Sequence, residues 1–380
     1  MVVCAEPLAA EVGADILRRG GNAVEAAIAA AFAQGVVNPT LCGIGGLGVM
    51  TVYWAETGEM TNLRFWGKAG SKARPDLFAA DYVGQEGAVT NYRVRGDRNF
   101  IGYESIMLPG FVRGMEEAWR RWGTHRFRWG ELLQGAIALA RDGFAVYPYL
   151  HRFWGPESVF GRERARAVMA STPAAAAIYL KEGEPYGVGE WLVQSDYAHT
   201  LERIAAEGAD TFYRGEIAEA IASDMVANGG LFDLDDLHDY QVLIAEPVVG
   251  TYRGYQVLTD RPPGCGALLV ELLNIVEGWD LQSLGWNTPA YLDKIARAMQ
   301  QVFADRARYM ADPQFVPVPV EYLVSRAHAD ALRRKIDRDE DLQEPSWQPV
   351  GASGTTHLSV MDRFGNAVSL THTLGYASGV

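Results

Sequence analysis

The sequence has few cysteines and no long hydrophobic run. Only three cysteines occur among 380 residues (Cys4, Cys42 and Cys265), and their spacing does not resemble a metal site. An odd number of dispersed cysteines favours free thiols in a reducing compartment. No run of about 18 apolar residues is present, so no transmembrane helix is predicted. We therefore expect no disulfide framework, no membrane span and no metal centre.

Positive charge is also scarce, since 34 Lys and Arg residues stand against 47 Asp and Glu and the net charge is −13. This balance argues against binding to nucleic acids or anionic membranes. The N-terminus has no basic segment followed by an apolar one, so we expect a cytoplasmic protein, or a periplasmic or secreted one if a leader has been removed. No linker rich in Pro, Ser or Gly divides the chain, which favours a single domain over residues 1–380.

The most informative stretch lies near the end of the sequence. Residues Thr356 to Met361 and Ala367 to Thr373 are rich in Val, Leu, Thr and Ser with rough period-2 alternation, and Asp362 to Asn366 has the composition of a turn. This pattern alone predicts a β-hairpin. Two further residues, Gly354 and Thr355, precede its first strand.

A threonine directly after a glycine has a chemical option that most hairpin residues lack. Within a chain the hydroxyl of Thr355 has no adjacent base, but a cut before it would release its own α-amine, with a pKa of about 8, to act as that base. Gly354 has no Cβ and therefore tolerates the strained backbone that such a cut requires. The alternative is an ordinary hairpin with no catalytic role.

The motif Thr355-Thr356-His357 with Asp362, Gly365 and Asn366 resembles the start of the small subunit in the γ-glutamyltranspeptidase family. The resemblance implies an N-terminal nucleophile hydrolase that cuts its own chain between Gly354 and Thr355. It also implies that Thr355 is the nucleophile and that Thr373 matches the second threonine, which hydrogen-bonds the nucleophile. Because this nucleophile carries its own base, we interpret His357 and His372 as structural residues.

The N-terminal part carries the same resemblance. Pro7 begins one predicted helix, Gly20-Gly21 ends it, and Asn22 caps an alanine-rich helix over Ala23 to Val37. Residues 18–27 resemble the family's opening helix pair, although Glu25 stands where Asp is usual. The implied fold is α+β, a four-layer αββα sandwich, with residues 1–354 forming the large-subunit part and 355–380 the start of the small-subunit part. In the family further residues follow, including the paired glycines of the oxyanion hole, so those groups are not assigned here.

Gly43, Gly45, Gly46 and Gly48 satisfy the pattern G-x-G-x-x-G. A dinucleotide site requires a strand before this pattern and a helix after it, whereas here the predicted order is reversed. We therefore predict no cofactor. The glycines form either a tight helix-to-strand turn or, as the resemblance implies, a loop at Gly45 and Gly46 that lines the active site.

Two positions depart from the family's substrate contacts. In Phe65-Trp66-Gly67-Lys68-Ala69, Trp66 stands where the family has an arginine that pairs with the substrate α-carboxylate, and Gly375 stands where an asparagine is frequent. Tryptophan makes no bidentate carboxylate contact, although the neighbouring Arg64 or Lys68 would partly compensate. Simple packing is the other interpretation of Trp66.

Taken together, these features predict an amidohydrolase or acyltransferase whose donor differs from an ordinary γ-glutamyl peptide. Its expected partners are a small amide or peptide substrate and, after the cut, the two associated subunits. The alternatives are a non-catalytic homologue that binds a ligand or partner and a true glutathione hydrolase. A polar, glycine-rich stretch, 84–102, is predicted to be a mobile surface loop.

Overall fold

A six-stranded antiparallel sheet lies at the centre of the fold. The computed structural model describes residues 1–86, 91–155, 162–340 and 354–375. The strands in these segments are β1 (Val2–Cys4), β2 (Leu47–Trp54), β3 (Glu59–Phe65), β4 (Tyr82–Glu86), β5 (Asn91–Val94), β6 (Phe144–Ala145), β7 (Leu180–Lys181), β8 (Glu184–Pro185), β9 (Trp191–Leu192), β10 (Leu243–Ala245), β11 (Val248–Tyr252), β12 (Tyr255–Thr259), β13 (Thr356–Met361) and β14 (Ala367–Thr373). The central sheet has the order β1-β13-β14-β2-β3-β10.

The same segments contain α-helices, several of which pack on the central sheet. They are α1 (Pro7–Arg18), α2 (Ala23–Val37), α3 (Phe111–Trp122), α4 (Trp129–Asp142), α5 (Pro148–His151), α6 (Arg162–Met169), α7 (Pro173–Tyr179), α8 (Ser195–Glu207), α9 (Asp210–Tyr213), α10 (Glu216–Ala227), α11 (Leu234–His238), α12 (Gly266–Glu277), α13 (Pro289–Tyr309), α14 (Val320–Leu323) and α15 (Arg326–Asp337). None of those in the described segments is both long and apolar enough to cross a membrane. The α+β prediction is confirmed.

Helix α2 is the centre of the helical layer, and all fifteen of its residues are buried. Its alanines leave room for neighbours on every side, so α1, α3, α4, β13 and β14 all contact it. The predicted cap is confirmed, since the Asn22 side chain accepts a hydrogen bond from the Glu25 N–H at 2.9 Å and the Glu25 carboxylate accepts one from the Asn22 N–H at 3.0 Å. This capping box fixes where α2 begins and how it lies against the sheet.

A second, smaller core lies between α12, α13 and α15, with the β11–β12 hairpin against α12. In the described part of the chain, β3 contacts this unit at the end of β12. The Asn62 side chain of β3 donates to the Thr259 carbonyl at 3.1 Å, and Arg64 lies 3.4 Å from the Asp260 carboxylate. The order from one side to the other is helices, central sheet, short β-hairpin and helices.

The predicted loop over 84–102 is wrong at 84–86 and 91–94, which form strands, whereas 95–102 contains only turns and a short 3₁₀ helix. Strands β4 and β5 pair there, with Tyr82 and Tyr92 in edge contact at 5.9 Å. The Arg98 guanidinium forms ion pairs with the carboxylates of Asp81 and Glu104, each with an N···O distance of 2.5 Å. The glycines and arginines suggested a solvated loop, but cross-strand aromatic contact and a paired cation stabilise a hairpin. Residues 87–90 lie outside the described segments.

Candidate active site

Four strand ends meet at one edge of the central sheet, and the predicted site residues lie there. Strand β13 begins beside the end of β14, since Thr356 pairs with His372. Strand β14 ends where β2 begins, with Thr373 opposite Leu47, and β3 ends opposite the second residue of β2. Antiparallel pairing therefore brings residues from positions 47, 65, 356 and 373 to one edge.

The two predicted catalytic threonines are in contact. The exposed Thr355 hydroxyl donates to the Thr373 hydroxyl at 3.3 Å, and the Thr373 hydroxyl donates to the Gly354 carbonyl at 3.1 Å. The Gly375 N–H also donates to the Thr373 oxygen, at 2.9 Å. Thr373 is thus linked both to the hydroxyl of Thr355 and to the carbonyl of the peptide bond that precedes it.

Space at Gly354 is restricted by its surroundings. A Cβ at this position would lie 2.1 Å from the Leu41 side chain, so a larger residue would displace Leu41 or the strand. The Leu41 carbonyl also accepts a hydrogen bond from the Leu374 N–H at 2.9 Å. Leu41 therefore holds the backbone on both sides of the threonine pair, a role that the sequence did not reveal.

The glycine-rich loop packs directly on Thr373. A Cβ at Gly46 would lie 2.6 Å from the Thr373 carbonyl oxygen, so only glycine fits there. The Gly46 carbonyl accepts from the N–H groups of Gly110 and Phe111 at 2.9 and 3.0 Å, at the start of α3. Gly45 is exposed, with Leu374 about 4 Å from the position of its absent Cβ. The loop thus abuts the threonine pair from the side of β2.

Trp66 and the two cations predicted to compensate for it lie in different surroundings. Trp66 directly follows β3 at the same sheet edge, is half-buried, and its indole N–H has no hydrogen-bond partner among the described residues. Its carbonyl accepts from the Tyr240 hydroxyl at 2.7 Å. Lys68 is exposed with its ammonium 5.3 Å from the centre of the Tyr240 ring, and Arg64 is buried beside Asp260. Arg64 is therefore engaged elsewhere.

The two histidines of the hairpin make structural contacts. His357 lies 2.8 Å from the Thr371 hydroxyl and 3.1 Å from the Ser359 hydroxyl, and burial lowers its pKa. His372 is fully buried, stacks on Phe111, and burial lowers its pKa to about 3. Both rings are neutral at pH 7, which is consistent with their interpretation as structural residues.

An apolar cavity of about 300 Å³ lies beside Leu374. Its walls include residues of the glycine loop, of α7 and of α8, among them Ile44, Tyr179 and Tyr197. No charged side chain is present among the described residues that line it. Burial raises the pKa of Tyr179 to about 12 and raises that of Tyr197 further, so both phenols are neutral at pH 7. The cavity suits an uncharged group.

One cluster in the described segments has the composition of a cation site. Glu271, Asp305 and His328 have donor atoms within 4.8 Å of one another in the second core. His328 lies 2.6 Å from Asp305 and 3.3 Å from Glu271. Burial alone would lower the pKa of His328, but its hydrogen bonds to the two carboxyl groups raise it to about 9. The imidazolium itself therefore provides the positive charge between the carboxyl groups.

We expect this cluster to make stability depend on pH. The pKa of His328 is raised from 6.5 to about 9, and burial raises that of Glu271 from 4.5 to about 7, so both groups favour folding at low pH. The free energy of unfolding should fall by on the order of 2 kcal/mol between pH 6.5 and 9, measured by urea denaturation. His328→Gln should flatten that decline, whereas His199→Gln, at an exposed histidine, should not. An equal decline in wild type and His328→Gln would refute this assignment.

Known proteins match this chain over nearly its whole length. The profile of the Gamma-glutamyltranspeptidase family matches residues 9–380. An acylase ACY 1 proenzyme of Pseudomonas sp. (strain SE83) is 39% identical over 98% of this chain and 65% of its own length. A glutathione hydrolase proenzyme of Escherichia coli (strain K12) is 35% identical over 100% of this chain and 63% of its own length. The chain thus spans slightly less than two thirds of these relatives.

Solved structures show the same fold. The γ-glutamyltranspeptidase of Helicobacter pylori superposes with a TM-score of 0.78 at 34% identity, covering 91% of this chain and 93% of that one. A cephalosporin acylase from Bacillus halodurans gives 0.82 at 30% identity, covering 100% of this chain and 66% of that one. These matches confirm the predicted N-terminal nucleophile hydrolase sandwich. The chain therefore belongs to the γ-glutamyltranspeptidase family.

Proposed function

We propose that this chain is a self-cleaving amidohydrolase or acyltransferase that uses Thr355 as an N-terminal nucleophile. One observation carries the proposal: the Thr355 hydroxyl, the Thr373 hydroxyl and the Gly354 carbonyl form a continuous hydrogen-bonded chain of 3.3 and 3.1 Å. This series of hydrogen bonds spans the peptide bond at which the family motif predicts a cut. A proton acceptor therefore lies at the attacking oxygen, and a donor lies at the carbonyl under attack.

These contacts support the following route for the cut. The Thr355 oxygen attacks the Gly354 carbonyl carbon and gives its proton to the Thr373 hydroxyl, which passes its own proton to the Gly354 oxygen that it contacts. As the intermediate collapses, a proton moves from that oxygen to the departing Thr355 nitrogen. Breaking of the C–N bond leaves an ester between Gly354 and the Thr355 oxygen and frees the α-amine. Water then hydrolyses the ester, which gives a Gly354 carboxylate and regenerates the Thr355 hydroxyl.

The pairing of strands supports association of the two products. Strand β13, which begins at Thr356, lies between β1 and β14 and pairs with both. A cut before Thr355 thus leaves β13 inside the sheet, hydrogen-bonded to the first strand of the chain. In the resulting enzyme the Thr355 amine serves as the base, and the acyl group passes from the threonine to water or an amine.

The donor is proposed to be an amide without the charged γ-glutamyl head. Trp66 and Gly375 stand in place of two residues that contact the glutamyl group in the family. Arg64 forms an ion pair with Asp260. The cavity beside Leu374 has no charged residue among its described walls. A carboxylate or ammonium is costly to bury without a partner, whereas an apolar acyl group is not.

An intact-mass spectrum of the full-length gene product tests the proposal most directly. We expect two fragments divided between Gly354 and Thr355, together with hydrolysis of acyl amides in a substrate panel. A single uncut chain without amidase activity would favour a non-catalytic, ligand-binding homologue. Two fragments with efficient glutathione hydrolysis would favour a true glutathione hydrolase, as several relatives are named, and would refute the altered donor specificity.

Trp66→Arg should shift specificity toward γ-glutamyl donors. A guanidinium at this sheet edge would make a charge-assisted contact with the substrate α-carboxylate, which is worth roughly a 10- to 100-fold gain in kcat/KM for glutathione. Trp66→Leu is the matched control, because it removes the indole without adding charge and should give no such gain. If Trp66→Arg hydrolyses glutathione no better than Trp66→Leu, Trp66 does not occupy the donor site.

A further inference from the structure

A buried carboxylate lies beside the first residue of β13. Glu6, between β1 and α1, is fully buried. Its two oxygens accept hydrogen bonds from the side-chain amides of Gln34 at 2.5 Å and Asn38 at 2.6 Å. Gln34 lies in the last turn of α2, and Asn38 directly follows the helix. Because amide N–H groups only donate, Glu6 acts as an acceptor at both oxygens, as an ionised carboxylate does.

The same network reaches the residues next to both catalytic threonines. Thr356, which directly follows Thr355, accepts from the Gln34 amide at 3.1 Å and donates to Glu6 at 3.4 Å. His372, which precedes Thr373, donates from its ring to the side-chain oxygen of Gln34 at 2.9 Å. Thr356 and His372 are paired across the hairpin. Glu6 and Gln34 thereby fix the residues adjacent to both Thr355 and Thr373.

The negative charge of Glu6 has no cation beside it in the described part of the chain, where no ion pair includes this residue. Titratable groups face the network from β1, the loop after α2, the start of α5 and the hairpin, and all are neutral at pH 7. Burial, with Glu6 contributing, raises the pKa of the thiols and phenols among them, and burial lowers that of the histidine. These groups are Cys4, Cys42, Tyr147, Tyr149 and His372. An uncompensated buried charge is costly, which calls for a role.

We propose that Glu6 is a positioning residue that holds Thr355 in place through Thr356 and faces the α-ammonium released when the chain is cut. This inference rests on the proposed function. Thr356 contacts Glu6, and adjacent Cα atoms are 3.8 Å apart, so the Thr355 nitrogen lies within about 11 Å of the carboxylate. In the uncut chain the negative charge of Glu6 has no partner cation. The cut creates a cation, the α-ammonium of Thr355, at the residue before Thr356.

Glu6→Gln in the full-length gene product tests the role. Loss of the carboxylate leaves the Gln34 and Asn38 amides facing another amide, so we expect self-cleavage to slow about 10-fold. In the cut fraction, kcat should fall more than KM changes. The acid limb of the kcat/KM profile should also move to lower pH by about one unit, because a negative charge near 10 Å raises the pKa of an ammonium by about that much.

Glu25→Gln is the matched control. Glu25 is equally buried in α2, but its partners are Asn22 and Thr124 at the other end of the helix. That variant should lower the melting temperature while leaving cleavage rate and pH profile unchanged. Normal cleavage and an unshifted acid limb in Glu6→Gln, with a cut and active wild type, would overturn the role of Glu6 alone. An uncut, inactive wild type would instead overturn the proposed function together with this inference.

Thr356→Val keeps the proposal testable if Glu6→Gln fails to fold. Valine preserves the shape and strand preference of threonine and leaves the Glu6 charge in place, but it removes the hydroxyl that links Glu6 to the strand. We expect slower self-cleavage and an acid limb at the wild-type pH. Wild-type cleavage kinetics in a folded Thr356→Val variant would contradict positioning through this residue.

Discussion

Replacing Thr355 by alanine is expected to leave the full-length chain in one piece and to abolish amide hydrolysis. The substitution removes the oxygen that attacks the Gly354 carbonyl, and without the cut no α-amine is released to act as base. Loss of a nucleophile in comparable hydrolases lowers kcat by roughly 10⁴- to 10⁶-fold. Intact-mass spectrometry over a time course, together with a sensitive amidase assay, measures both effects on one sample.

Two further variants sharpen this experiment. Thr355→Ser retains the hydroxyl and should still be cut, although more slowly, because serine lacks the methyl group that restricts its rotamer. Thr371→Val, on the same hairpin, removes a hydroxyl that contacts only His357 among the described residues and should be cut normally. A fragment pair divided before residue 355 in Thr355→Ala would show that another group cleaves the chain and would remove Thr355 from the nucleophile role.

Local patterns in this sequence predicted its regular elements well. The strands at Thr356–Met361 and Ala367–Thr373 and the helices at Pro7–Arg18 and Ala23–Val37 begin and end as the sequence suggested. Each combines a clear period with a cap or turn residue at its limits, so neighbours in sequence determine the result. The contact between Thr355 and Thr373 was implied by the family motif, and strand pairing explains why these residues meet.

The residues that the sequence did not reveal are those whose partners are distant in the chain. Glu6 is 350 residues from Thr356, and nothing near Glu6 distinguishes it from a solvated acidic residue at the start of a helix. The available signal was weak: Gln34 and Asn38 are polar residues four positions apart at the end of an otherwise apolar helix. Such a pair needs a buried partner, but the sequence does not identify it.

Removing the hydroxyl of Thr373 should slow self-cleavage by about 10²- to 10³-fold. This hydroxyl accepts from Thr355 and donates to the Gly354 carbonyl, so it both receives the proton of the attacking oxygen and stabilises charge on the carbonyl oxygen. Loss of one donor to such an oxyanion costs about 3–4 kcal/mol. Thr373→Val is the suitable change, because valine keeps the β-branched shape and the pairing with Leu47.

The hydroxyl of Thr373 has a third contact, which gives it a structural role beside the chemical one. It also accepts from the Gly375 N–H, so its loss will loosen the segment after β14. Thr373→Ser keeps all three hydrogen bonds and should cleave within about 10-fold of wild type, while its smaller side chain weakens packing at least as much as valine does. If Thr373→Ser and Thr373→Val are slowed equally, packing at the strand end controls the cut. If only Thr373→Val is slowed, the hydrogen bonds of the hydroxyl control the cut, as the hydrogen-bonded chain from Thr355 to Gly354 predicts.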